Sequence, residues 1–125
     1  MDFIETVNSD GSRGSVKLPS SVKNYLIDID GTICEDIPND EPERMAGAKI
    51  IEGSQEKINK WYESGNVVTF FTSRTDAHRE VTEKWLNEHG FKYNAILFNK
   101  PKGGNYYWID DRDISCNKFT AWNVL

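Results

Sequence analysis

Three short apolar runs, at residues 25–29, 67–71 and 95–98, limit this chain more than any other feature. Each is too short to cross a membrane, and each reads as a buried strand bounded by polar or turn-forming residues. Stretches of helical period lie between them. In the first, Ile51, Ile58, Trp61 and Tyr62 share a face, with Ser54 as candidate N-cap and Gly65 as stop. In the second, Ala77, Val81, Trp85 and Leu86 share a face, Thr75 or Asp76 caps it, and Gly90 ends it. Tyr106, Tyr107, Trp108 and Ile109 predict a fourth strand. A last helix is expected over about 113–122, carrying Ile114, Phe119 and Trp122. This alternation predicts an α/β fold: a three-layer, Rossmann-like arrangement with a mostly parallel sheet of roughly four to five strands and helices on both faces.

The 125 residues have room for one core. Residues 1–22, punctuated at 8–12 and by Pro19-Ser20-Ser21, read as a partly flexible N-terminal arm able to form one short hairpin. Residues 23–125 read as the domain. Residues 1–5 carry neither a basic lead nor an apolar core, so no secretory signal is expected. Cys34 and Cys116 stand far apart, form no metal-type pair and read as free thiols of a reducing cytoplasm. Acids outnumber bases 20 to 15, a net charge of −5. Tracking a nucleic-acid backbone needs a basic face, so a general nucleic-acid binder is not expected, although a local basic pocket is allowed.

In open α/β sheets, ligands gather at the carboxyl ends of the strands. The first run ends on Asp28, Asp30, Gly31 and Thr32, and the second on Thr72, Ser73 and Arg74. The third leads to Lys100 and Lys102, and the fourth to Asp110 and Asp111. Each group alone has a bland reading: Asp and Gly form turns, Thr72 and Ser73 cap helices, and lone lysines sit on surfaces. Four strand ends bringing matched charges to one rim are harder to explain that way. Asp28 and a terminal aspartate could hold a hard divalent cation such as Mg²⁺. Of two acids two residues apart, one can attack as a nucleophile while the other moves a proton. Gly31 allows the chain to turn. A hydroxyl and an ammonium could hold the other phosphoryl oxygens.

Asp28-Ile29-Asp30-Gly31-Thr32, Thr72 after an apolar strand, Lys100 before Pro101, and Asp110-Asp111 stand in an order that resembles the haloacid dehalogenase-like superfamily of phosphotransferases. The likeness spans about residues 24–119. It implies a Mg²⁺-dependent phosphatase in which Asp28 becomes an aspartyl-phosphate. Asp30 would act as general acid/base, with its backbone carbonyl on the metal. Thr72 and Lys100 would hold the phosphoryl group, with Lys102 as the alternative lysine. Asp111 would ligate the metal and Asp110 would hold the lysine and a metal-bound water, or the two would exchange roles. Gly31, Thr32, Ser73 and Arg74 are expected at the substrate, with a surface place beside the helix also open for Arg74. The segments between motifs are too short for a cap domain, and a lid borrowed from a second copy would make a homo-oligomer.

The acidic loop at residues 33–43 favours a small phosphomonoester, such as a sugar phosphate, over a polyanion. A nucleotidase or polynucleotide 3′-phosphatase is the alternative within this class. Outside it stands a phosphoacceptor or phosphate-binding module that does not hydrolyse its ligand. A signalling receiver is disfavoured because its phosphorylated Asp ends strand three, where this chain has Asn99-Lys100. His78, His89, Trp61 and Trp85 read as surface or packing residues.

Overall fold

The computed structural model describes Thr6, Val7, Ser9, Arg13, Gly14 and residues 17–125. Strand β1 (Thr6–Val7) pairs antiparallel with β2 (Arg13–Gly14), so the expected hairpin is present, while its turn at Asn8 and residues 10–12 lies outside the described residues. The main sheet is built from β3 (Asn24–Ile27), β4 (Val67–Phe71) and β5 (Ala95–Leu97), parallel and in that order. Two helices, α1 (Ser54–Glu63) and α2 (Arg79–Glu88), supply the crossovers.

Side chains alternate across a strand, so the register places Ile27 beside Phe70 and Phe70 beside Ile96 on one face. That face meets Ile58 of α1 and Trp85 and Leu86 of α2 in the buried core. Tyr25 stacks on Trp61 with ring centroids 4.0 Å apart, and Phe70 meets the edge of Phe91 at 5.8 Å. The buried Trp85 indole donates to the Ala48 carbonyl at 2.9 Å, which removes the cost of an unpaired N–H. Gly65 and Gly90, with φ of +92° and +72°, end the two helices as the sequence predicts. Ser54 does not cap α1. It is the first helical residue, behind Gly53, and its hydroxyl donates to Ile51 O at 2.7 Å.

Three expectations are corrected. The helices lie on one face of the sheet, because successive right-handed crossovers to the next strand place both on the same side. On the opposite face Leu26 and Leu97 remain 43% and 48% exposed. The sheet has three strands among the described residues, and residues 106–109 do not form the fourth. Pro101 cannot donate to a ladder, and Gly103, Gly104 and Asn105 all take positive φ, which turns the chain out of extended geometry. Tyr107 and Ile109 are 91% and 87% exposed. The helix expected over 113–122 is reduced to a 3-10 turn at Trp122–Val124, whose Trp122 packs on Phe119 and donates to Thr32 O at 2.8 Å. No helix is long and apolar enough to cross a membrane.

The stretch between β3 and α1 is more ordered than its composition suggests. Cys34 bridges to Asp30 and to Ile50, and Ile33, Cys34, Ile37, Met45 and Ala48 are buried. This anchored loop forms one wall of the site.

Candidate active site at the strand ends

A cavity of about 350 Å³ opens at the carboxyl ends of the strands, lined by Asp28, Asp30, Ser73 and Lys100. Its outer wall is the loop from Asp36 to Asn39, with Lys102 and Tyr106 completing the rim. Asn39 ties that loop down by donating from Nδ2 to Ser73 O at 2.8 Å.

Asp28 follows β3 directly. Its Oδ2 accepts from the Thr32 hydroxyl at 3.0 Å and its Oδ1 from Lys100 Nζ at 2.8 Å. The return from Asp28 to Thr32 depends on Gly31, whose φ of +83° is strained for any residue with a Cβ. Lys100 reaches Asp28 across 72 positions because the ends of β4 and β5 are sewn together. Thr72 N donates to Leu97 O at 2.9 Å, and Lys100 N donates to Thr72 O at 2.9 Å. Between these bonds Asn99 adopts a φ of +64°, a conformation Asn tolerates better than most residues. Lys100 also lies 5.7 Å from the Phe71 ring centroid and 5.4 Å from that of Tyr106, so aromatic faces shelter its charge.

Asp30 is gripped from below. Arg74 Nε donates to Oδ2 at 2.9 Å and Nη2 to Oδ1 at 2.7 Å, while Nη1 donates to the Thr82 hydroxyl on α2 at 3.0 Å. The Arg74 side chain is 2% exposed and that of Asp30 15% exposed. Arg74 therefore holds Asp30 and is not turned toward the cavity, contrary to the expectation of a substrate ligand. Thr72 is likewise buried, and its hydroxyl accepts from Arg74 N at 3.0 Å. Ser73, its neighbour, lines the cavity. Cys34 lies under the pair, with Sγ 3.8 Å from Asp30 Oδ1 and 3.9 Å from Arg74 Nη2. Burial first and the Asp30 charge second push this thiol up to about 12, so it stays protonated and unreactive.

The structure thus brings together Asp28, Asp30, Thr32, Ser73, Arg74 and Lys100, with Lys102 at the rim. Lys100, not Lys102, makes the contact with Asp28. Asp110 and Asp111 are not brought in. Both are exposed, and Asp110 is bonded within its own segment, to the Trp108 indole at 3.2 Å and to Arg112 N at 3.1 Å. The Trp108 bond is the main reason its carboxyl is lowered below the usual range. The cavity residues that sequence reasoning missed are Asp36, Ile37, Pro38, Asn39 and Tyr106 as rim elements, and Thr82 as a support. The acidic loop at residues 33–43, following Asp28-Ile29-Asp30-Gly31-Thr32, was visible as a neighbour of the site, but the buried isoleucines that press it against the strands had no local signal.

Asp28 offers the hard oxygen donors that suit Mg²⁺ and has lone pairs beyond its two hydrogen bonds. The Asp30 carboxylate is held by Arg74 on its core side while it still lines the cavity, and its backbone carbonyl is a further oxygen donor. Among the described residues, no group of three or more His, Cys, Asp or Glu gathers to hold a metal. The donors present fit a cation that takes part of its coordination from substrate oxygens and water.

A family model described as PITM 1-3, LNS2 domain, matches residues 25–107, a stretch that includes Asp28, Asp30, Arg74 and Lys100. No curated protein sequence matches the chain. Among solved structures, a target protein from Vibrio cholerae superposes with a TM-score of 0.55 at 23% identity, over 74% of this chain and 83% of that one. A chain in a Pnkp1/Rnl/Hen1 complex gives a TM-score of 0.55 at 22% identity, over 74% of this chain and 32% of its own length. A chain in a structure described as the Pnkp1/Rnl/Hen1 RNA repair complex gives 0.55 at 20%, over 74% and 30%. This chain thus spans about a third of the chains in those two complexes, and the likeness is one of fold.

Proposed function

The chain belongs to the LNS2-domain family, which has a haloacid dehalogenase-like fold, and on that footing we propose that it is a phosphatase acting on small phosphomonoesters through an aspartyl-phosphate. The observation that carries this reading is Asp28: a cavity-facing carboxylate held by Thr32 on one oxygen and by Lys100 on the other. Those bonds hold its carboxylate aimed into the cavity, as a nucleophile must be. Asp28 Oδ attacks phosphorus as the bond to the leaving oxygen breaks, and that oxygen takes a proton from Asp30. Water then attacks the aspartyl-phosphate, gives a proton to Asp30 and frees Asp28. Lys100 and the Ser73 hydroxyl hold the phosphoryl oxygens. A bound Mg²⁺ would offset charge on those oxygens, held by Asp28, by the Asp30 carbonyl and, if its segment closes over the cavity, by Asp111.

A cavity of about 350 Å³ suits a phosphate with a small leaving group. Asp36 on the rim disfavours a long polyanion, while Lys102 and the open mouth allow a terminal phosphate. The test compares an aryl phosphate, a panel of sugar phosphates and a 3′-phosphorylated oligonucleotide, each with Mg²⁺ and with chelator, for wild type and Asp28→Asn. Mg²⁺-dependent release of phosphate by wild type alone is expected, fastest with the small esters. Preference for the oligonucleotide would replace the substrate class. A folded wild type that releases nothing from any of them would overturn the phosphatase reading.

A further inference from the structure

Asp30 has to face the substrate from one side only, and the structure shows what holds it there. Its two carboxylate oxygens meet the Nε and Nη2 edge of a single guanidinium, a planar bidentate pairing that sets both distance and orientation. The guanidinium is itself fixed. Nη1 donates to Thr82 Oγ1 at 3.0 Å, Arg74 N donates to Thr72 Oγ1 at 3.0 Å, and Asn99 N donates to Arg74 O at 2.8 Å. Thr82 is 1% and Arg74 2% exposed, so these bonds do not exchange with water. We infer that Arg74, seated by the Thr82 hydroxyl, is a positioning residue that presents Asp30 to both proton transfers of the reaction. The inference rests on the phosphatase reading above.

The reason lies in the arrangement of lone pairs. A carboxylate has about four acceptor directions, and the guanidinium takes those that face the core. The remainder faces the cavity that Asp30 lines beside Asp28. A lysine at position 74 would keep the charge but hold the carboxylate through one donor, leaving it free to rotate. Misplacement of a proton-transfer group on this scale costs roughly 10- to 100-fold in rate. α2 thereby contributes to the chemistry through Thr82, although none of its residues lines the cavity.

The experiment uses Arg74→Lys, Thr82→Val and Thr82→Ser in the full chain, with an alkyl and an aryl phosphate and Mg²⁺ present. Arg74→Lys is expected to lose roughly 10- to 100-fold in kcat with KM changed less than about twofold. The loss is larger for the alkyl ester, whose leaving oxygen needs the proton; with the aryl ester, whose departure needs none, acid quenching traps more phosphoenzyme because only hydrolysis of the intermediate slows. Thr82→Val keeps the side-chain shape and loses the hydroxyl, so kcat falls in the same direction by a smaller factor. Thr82→Ser keeps the hydroxyl and restores kcat. A packing role would give the reverse order, with valine tolerated and serine harmful, and would overturn the inference. Wild-type kinetics in Arg74→Lys would also overturn it. If Arg74→Lys does not fold, the threonine pair decides alone. A wild type inert on both esters would overturn the phosphatase reading, whereas an active wild type with unaffected variants would overturn only the role of Arg74.

Discussion

Asp28 and Asp111 sit in two regions of very different construction. Asp28 follows a strand whose neighbour is the buried central strand β4, and its oxygens are bonded by the nearby Thr32 and by Lys100, 72 positions away. Asp111 lies in a stretch, residues 101–118, in which every residue is exposed. The side-chain bonds there are short-range: Tyr106 to Pro101, and Trp108 to Asp110. Both regions are rich in aromatic and charged residues. What separates them is a partner. Phe70 and Trp85 find rings and helices to pack on, while Tyr107 and Ile109 find water. Apolar character alone does not place a segment; a complementary face does.

The largest expected effect falls in the first region. Asp28→Asn should lower phosphate release by roughly 10³-fold or more, measured as kcat on the best substrate of the panel. Residual turnover near wild type would mean that the Asp28 geometry serves binding and not attack.

The same contrast predicts stability. Phe70→Ala removes a side chain at 0% exposure and should cost about 3–5 kcal/mol, read from urea unfolding. Ile109→Ser, at 87% exposure, should change the midpoint by less than about 0.5 kcal/mol. A large loss in Ile109→Ser would show that residues 106–109 pack in solution, and the comparison would fail.

What could be read from residue order divides along this boundary. Runs 25–29 and 67–71 were recognisable because they alternate with helical stretches, and alternation with short connections leaves few topologies. Asp28 and Lys100 were recognisable because they follow such runs. Asp110-Asp111 carried as clear a motif, yet a motif says nothing about whether its strand has an edge to join, and Pro101, Gly103, Gly104 and Asn105 interrupt the approach to β5. Arg74 shows the other limit. Its charge suggested a substrate ligand, whereas its burial depends on Asp30, Thr82 and Asn99, which lie 44, 8 and 25 positions away (74 − 30, 82 − 74, 99 − 74). Such pairing has no local periodicity.

Asp111 gives a third and smaller test. If residues 101–118 close over the cavity when cation and phosphate bind, Asp111→Asn should raise the Mg²⁺ concentration for half-maximal activity about tenfold or more. Backbone hydrogen exchange near Tyr107 should slow when Mg²⁺ and a phosphate analogue are added together. Unchanged Mg²⁺ dependence and unchanged exchange would leave the paired acids outside the site.

The two cysteines report the contrast with the least disturbance to the protein. Cys34 lies at 0% exposure beneath Asp30 and Arg74, and Cys116 lies in the exposed stretch. A thiol reagent at pH 8 should therefore consume one equivalent promptly, from Cys116, and a second only after denaturant is added. Prompt reaction of both would mean that the floor of the site opens readily. The raised thiol also has a consequence for stability. Its folded value of about 12 lies above the ordinary 9.0, because burial and then Asp30 disfavour the thiolate. Below pH 9 the thiol is protonated in both states and its contribution is fully present. As pH rises from 9 toward 12 the unfolded chain ionises first, and that contribution is lost. Cys34→Ala should remove this part of the alkaline decline, so its urea midpoint should fall less than that of wild type between pH 8 and pH 10.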